Sequence, residues 1–218
     1  MLASLKILKR ILKVRQSVIG GLLLLAASAS AYSAPKTVLV LGDSLSAEYG
    51  LARGAGWVAL AERKLKDEKI DAAIVNASVS GETTSGGRTR LPALLDKYKP
   101  ALVVIELGAN DGLRGLPVKA AEANLRAMNE AATKAGAKVM LVGMRIPPNY
   151  GRDYADKFFA MYGTLSKEFN APLVPFMLDG VADKTQLFQA DRLHPLAQAH
   201  PTILANIWPV LQKTIKAK

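Results

Sequence analysis

The chain has 218 residues, half of them hydrophobic and 22% charged, which is the balance of a globular protein with a substantial core rather than a disordered one. Lys and Arg number 29 against 18 acids, a net charge of +11, but no Lys/Arg stripe with interleaved aromatics marks a nucleic-acid surface. There is no cysteine, so disulfides, thiolate metal sites, cysteine nucleophiles and a lipid-modified cysteine are all excluded.

The first 31 residues read as a leader. Lys6, Lys9, Arg10, Lys13 and Arg15 form a basic start without an acid. A short apolar run over 18–27 follows, then the small residues Ala29-Ser30-Ala31. Basic, apolar, small is the layout of a secretory signal peptide, with cleavage expected after Ala31. The apolar run is too short for a comfortable membrane span, and the rival reading is an uncleaved anchor that leaves the domain tethered. The expected organisation is therefore residues 1–31 as signal peptide and 32–218 as one exported domain. Without the leader, 24 basic residues face 18 acids, so much of the basicity belongs to the leader.

From residue 37 the pattern alternates. Residues 37–41 (TVLVL) form a continuous apolar run, as in a strand buried on both faces. Residues 56–69 have apolar positions at helical spacing. Residues 72–77 predict a second strand, 84–97 a helix with Pro92 near its middle, and 101–107 (ALVVIEL) a third strand. A helix over 118–135 ends at Gly136, a good residue to stop it. Residues 138–144 predict a fourth strand and 153–169 a helix. Residues 172–176 predict a short fifth strand, placed at an edge by its prolines. Apolar residues from Ile203 to Ile215 predict a final helix, kinked at Pro209. This rhythm implies an α/β fold: a parallel five-stranded sheet between two helical layers. Ligands bind such sheets beyond the carboxyl ends of the strands.

Four polar stretches fall at those ends: Gly42-Asp43-Ser44-Leu45, the turn containing Gly81, Gly108-Ala109-Asn110-Asp111, and Asp191-Arg192-Leu193-His194. A serine hydrolase needs a nucleophile, a base, an acid that orients the base, and donors for an oxyanion. Taken singly, Ser44 reads more simply as a helix cap, Asn110 as a turn residue and Gly81 as a tight turn. Asp43 reads as a turn residue whose side chain points away from the catalytic serine position. Of two histidines, His194 has Asp191 three residues before it, a spacing that lets one turn hold a carboxylate against the imidazole. His200 has no acid nearby in sequence and reads as structural or solvent-facing.

Taken together, GDSLS, the Gly81 turn, GAND and DRLHP resemble the four blocks of the SGNH or GDSL hydrolases. The stretches LGDSLSAEYG, NASVSGETT, ELGANDGLRGLP and RIPPNYGRDY are similar to the bacterial acyl-CoA thioesterase I branch, exported esterases that also act as lysophospholipases and arylesterases. The resemblance implies a flavodoxin-like three-layer α/β/α sandwich. It implies a triad of Ser44, His194 and Asp191, and oxyanion donors at the Ser44 and Gly81 amides and the Asn110 side chain. It implies neither metal nor cofactor, and small-molecule acyl esters or thioesters with medium or long acyl chains as substrates, handled in a periplasm. A mobile loop of Gly112, Leu113, Arg114, Gly115, Leu116 and Pro117, with Ile146 and Pro147 as a wall, is expected beside the acyl chain. Glu48 stands where a small residue is expected, which places a negative charge near the entrance. Two rival readings remain open: a carbohydrate or peptidoglycan O-deacetylase on the same fold, and a non-catalytic binding module.

Overall fold

A computed structural model describes residues 34–217, and the predicted signal peptide lies outside the described residues. Five strands form one parallel sheet: β1 (Lys36–Gly42), β2 (Ala72–Asn76), β3 (Leu102–Glu106), β4 (Lys138–Val142) and β5 (Leu173–Val174). Six α-helices accompany them: α1 (Trp57–Asp67), α2 (Thr84–Tyr98), α3 (Ala109–Leu113), α4 (Val118–Lys134), α5 (Arg152–Phe169) and α6 (His200–Lys216). The strand order is β2-β1-β3-β4-β5, the flavodoxin-like arrangement.

The sheet interior explains the apolar runs. Leu39 and Leu41 of β1, and Val103, Val104 and Ile105 of β3, are buried, because parallel crossovers cover both faces with helices. Helix α1 packs against α6, α2 against α4, and α4 against α5. The strand order reverses between β1 and β3, and the gap beyond their carboxyl ends is where such a sheet binds a ligand.

Two expectations change in detail, while the helix prolines are accommodated: Pro92 lies inside the continuous helix α2 and Pro209 inside α6. Both prolines sit on the exposed side, where a carbonyl without its helical partner can bond water. β5 shrinks to Leu173–Val174, an edge pair on Leu141 and Val142 bracketed by prolines that cannot donate to a ladder. Finally, α3 was not foreseen. It puts Ala109–Leu113 into a helical turn where the sequence suggested an open loop, and five residues are too few to show a period.

Candidate active site

Beyond β1 the backbone turns at Asp43-Ser44, with Ser46 and Ala47 amides both donating to the Asp43 carbonyl. Gly42 makes this turn possible, because a Cβ there would stand 2.7 Å from a Glu106 carboxyl oxygen and 2.8 Å from the Ser46 hydroxyl. The Asp43 side chain points away from Ser44, as expected. Its Oδ1 accepts the Leu45 amide at 3.0 Å, and its Oδ2 accepts the Asn110 side-chain amide at 3.2 Å. Burial pushes the Asp43 carboxyl up to about 6, against the opposing pull of the Leu45 amide, His194 and Asn110.

Ser44 meets His194 although 150 residues separate them: Oγ lies 2.9 Å from Nε2. On the far side of the ring, Nδ1 lies 2.7 Å from Asp191 Oδ2. Asp191 Oδ1 accepts the amides of Leu193 at 2.9 Å and His194 at 3.1 Å, so one tight turn presents the carboxylate to the ring. An ionised carboxylate only accepts, so Nδ1 carries the proton and Nε2 is left to accept from the Ser44 hydroxyl. The His194 contact and these amides hold the Asp191 carboxyl down at about 2.

Two neighbours were not legible beforehand. The Tyr49 ring covers His194 with centroids 4.4 Å apart. Gln189 then joins the two loops: its side-chain amide donates to the Tyr49 carbonyl at 2.9 Å, and its backbone amide to the His194 carbonyl at 2.8 Å.

The remaining candidate donors lie on neighbouring strand ends. Asn110, in α3, donates to Asp43 and to the Glu82 carbonyl at 3.0 Å. The adjacent Gly81 has φ +78°, a left-handed conformation that suits glycine, and its carbonyl accepts from Arg114 at 3.0 Å. The Ser44 and Gly81 amides make no hydrogen bond to the described residues. His200 is buried, not solvent-facing. Its Nδ1 accepts the Trp57 amide at 3.0 Å, and burial lowers its basicity, so it is a neutral strut between α6 and α1.

The relay opens into a cleft of about 450 Å³. Of the residues expected there, Leu113, Ile146 and Pro147 line it; Gly112, Arg114, Gly115, Leu116 and Pro117 do not. Helix α3 is the reason: it tucks Gly112 against Ile146 and Phe158 and sends the following residues outward. Met144, Phe176, Leu178, Ala182 and Phe188 complete the apolar wall. Arg145 and Arg192 stand on the lining without an ion-pair partner among the described residues, Arg145 with its guanidinium 3.6 Å from the Phe159 ring centroid. Glu48 does not line the cleft. Its carboxylate accepts the Gly54 amide at 3.0 Å and the Gly56 amide at 2.8 Å, so it braces the loop before α1 instead of charging the entrance. Among the described residues no group of three or more His, Cys, Asp or Glu could hold a metal ion.

A serine–imidazole–carboxylate relay at the carboxyl ends of a parallel sheet defines a serine hydrolase acting on ester bonds. Residues 40–201 match the GDSL-like lipase/acylhydrolase family, and the chain belongs to that family. It is 49% identical over 180 residues to esterase TesA of Pseudomonas aeruginosa, covering 83% of this chain and 90% of that protein. It is 44% identical over 171 residues to thioesterase 1/protease 1/lysophospholipase L1 of Escherichia coli, covering 78% and 81% respectively. The structure is similar to a crystal structure of TesA, with a TM-score of 0.80 over 82% of this chain and 99% of that one. It is equally similar to the psychrotrophic esterase EstA of Pseudoalteromonas inhibited by monoethylphosphonate, at 43% identity and TM-score 0.80, covering 84% of this chain and all of the other.

Proposed function

We propose that the protein is an exported acyl ester and thioester hydrolase that takes medium or long acyl chains. One observation carries this reading: the Ser44–His194–Asp191 relay opens onto a cleft whose walls are mostly apolar. His194 takes the Ser44 proton as Ser44 attacks the acyl carbonyl. The oxyanion is received by the Ser44 and Gly81 amides and the Asn110 side chain. His194 then protonates the leaving alcohol or thiol, and water repeats the cycle on the acyl-enzyme. The chain lies along Leu113, Ile146 and Phe188. Relatives named arylesterase, thioesterase and lysophospholipase support a broad choice of leaving group. An apolar cleft of this size is poorly suited to an acetylated sugar. The basic and apolar leader supports export to a periplasm, the mature domain being 32–218. Among the described residues no helix is long and apolar enough to cross a membrane.

The reading is tested with p-nitrophenyl esters from acetyl to palmitoyl. Each buried methylene contributes about 0.8 kcal/mol, so kcat/KM is expected to climb at least about tenfold from acetyl to the optimum. A flat profile, or an optimum at acetyl, would overturn the acyl-chain assignment.

The two unpaired arginines lead to a narrower expectation. An exposed charge contact is worth up to about 1 kcal/mol, so Arg192→Ala should lower the preference for an anionic over a neutral ester of the same acyl length by about threefold to fivefold. Added salt should erode that preference in the wild type. A ratio that Arg192→Ala leaves unmoved would remove Arg192 from substrate choice.

A further inference from the structure

Glu106 ends β3 and is 2% exposed, yet the mechanism above does not use it. Its Oε2 accepts the Ser46 hydroxyl at 2.6 Å and the Asp43 amide at 3.3 Å. Those two residues lie on either side of Ser44. Ser46 in turn accepts the Trp57 indole N–H at 3.1 Å, which fixes the hydroxyl toward Glu106. Asp43 continues the chain of contacts to Asn110. Neither direct partner of Glu106 is a cation.

An unpaired buried carboxyl costs several kcal/mol to charge, and apolar packing would fill the same space more cheaply. The titratable groups facing Glu106 and Asp43 are Asp111 of α3, Tyr162 of α5, whose hydroxyl donates to the Leu107 carbonyl, and His194. No lysine or arginine is among them. Burial and the neighbouring Asp43 charge therefore raise the Glu106 carboxyl well above its ordinary range, which favours its neutral form.

We propose that Glu106 is a positioning residue for acyl transfer, its carboxyl clasping the Ser44 turn on both sides and, through Asp43, fixing the amide of Asn110. The proposal rests on the reading of Ser44 and Asn110 given above. Both Asn110 amide hydrogens are engaged at rest, one by Glu82 and one by Asp43. The 3.2 Å contact to Asp43 is at the long end of the range, so it is the one that yields to a developing oxyanion. A neutral Glu106 leaves Asp43 as the charged member of the buried Asp43–Glu106 pair. Loss of the Glu106 proton adds a second negative charge, which opposes the transition state more than the bound substrate and so acts on kcat.

The test compares wild type, Glu106→Gln and Glu106→Ala with one p-nitrophenyl ester across pH 6–9.5, recording kcat, KM and thermal unfolding at each pH. Wild-type kcat is expected to decline on the alkaline side. Glu106→Gln keeps an acceptor oxygen and has no proton to lose, so it should recover kcat to within about fivefold and lose the alkaline decline. Glu106→Ala should lower kcat by about 10- to 100-fold with KM within about threefold, as for a small misplacement of reacting groups. An alkaline decline that persists in Glu106→Gln would overturn the proposal. So would a Glu106→Ala protein altered in unfolding temperature but not in kcat. If Glu106→Ala does not fold, the pH profile of Glu106→Gln decides alone. Activity that survives in Ser44→Ala would instead sink the underlying hydrolase reading, so the two failures are separable.

Discussion

Ser44→Ala is expected to lower kcat/KM for p-nitrophenyl esters by on the order of 10⁴- to 10⁶-fold. The substitution removes the only atom placed to form an acyl-enzyme, while the oxyanion donors and the cleft stay in place. Those survivors account for whatever activity remains over water. The hydroxyl's one protein partner is His194 Nε2, and Ser44 is only half-buried. Its loss should therefore move unfolding free energy by no more than about 0.5 kcal/mol. The check is a single-turnover assay alongside mass spectrometry after treatment with a phosphonate ester, with a covalent adduct on wild type and none on Ser44→Ala. A variant within about tenfold of wild type would mean that Ser44 only shapes the turn.

Asp191→Asn should cost about 10³- to 10⁴-fold in kcat with modest change in KM. The isosteric amide can present an N–H to His194 Nδ1. That favours the tautomer with its proton on Nε2, where it faces Ser44 and cannot accept. Geometry survives and chemistry does not, so the crystal structure of the variant should superpose on wild type. The carboxyl also has a signature in acid. Its folded-state value of about 2 lies below the ordinary value near 4, so the charged form favours the folded chain above about pH 4. That contribution fades as pH falls toward 2. Asp43 works in the opposite sense: with its carboxyl raised to about 6, its contribution to folding is fullest below about pH 4 and is lost as pH rises through 6. Melting curves from pH 3 to 8 for Asp191→Asn against wild type read the first effect. A mutant whose acid profile matches wild type would show that the turn amides, not the charge, set acid stability.

The sheet was legible because each buried strand announces itself as an apolar run, and the strand-end blocks were legible because four polar stretches fall in order just past those runs. What escaped were contacts between those blocks. Nothing in LGDSLSAEYG distinguishes a Glu48 aimed at the entrance from one turned back on Gly54 and Gly56; its φ of 60° and its backbone partners decide that. Phe176, Leu178 and Phe188 look like ordinary core in sequence and become cleft wall only because the segments after β5 cross the strand ends. Glu106 offered the one missed signal: a lone acid inside the run ALVVIEL, where every neighbour is apolar. His200 needed Trp57, 143 residues away in the chain, to show its role.

The 150 residues between Ser44 and His194 bear on when the protein acts. Ser44 arrives near the start of the described residues and His194 near the end, with four of the five strands formed between them. Contacts this non-local close late in folding, after the loop entropy of the whole sheet has been met. A nascent or extended chain therefore carries a serine with no base beside it, an ordinary alcohol. Activity is therefore expected to appear only once β2 to β5 are in place and Ser44 and His194 have met.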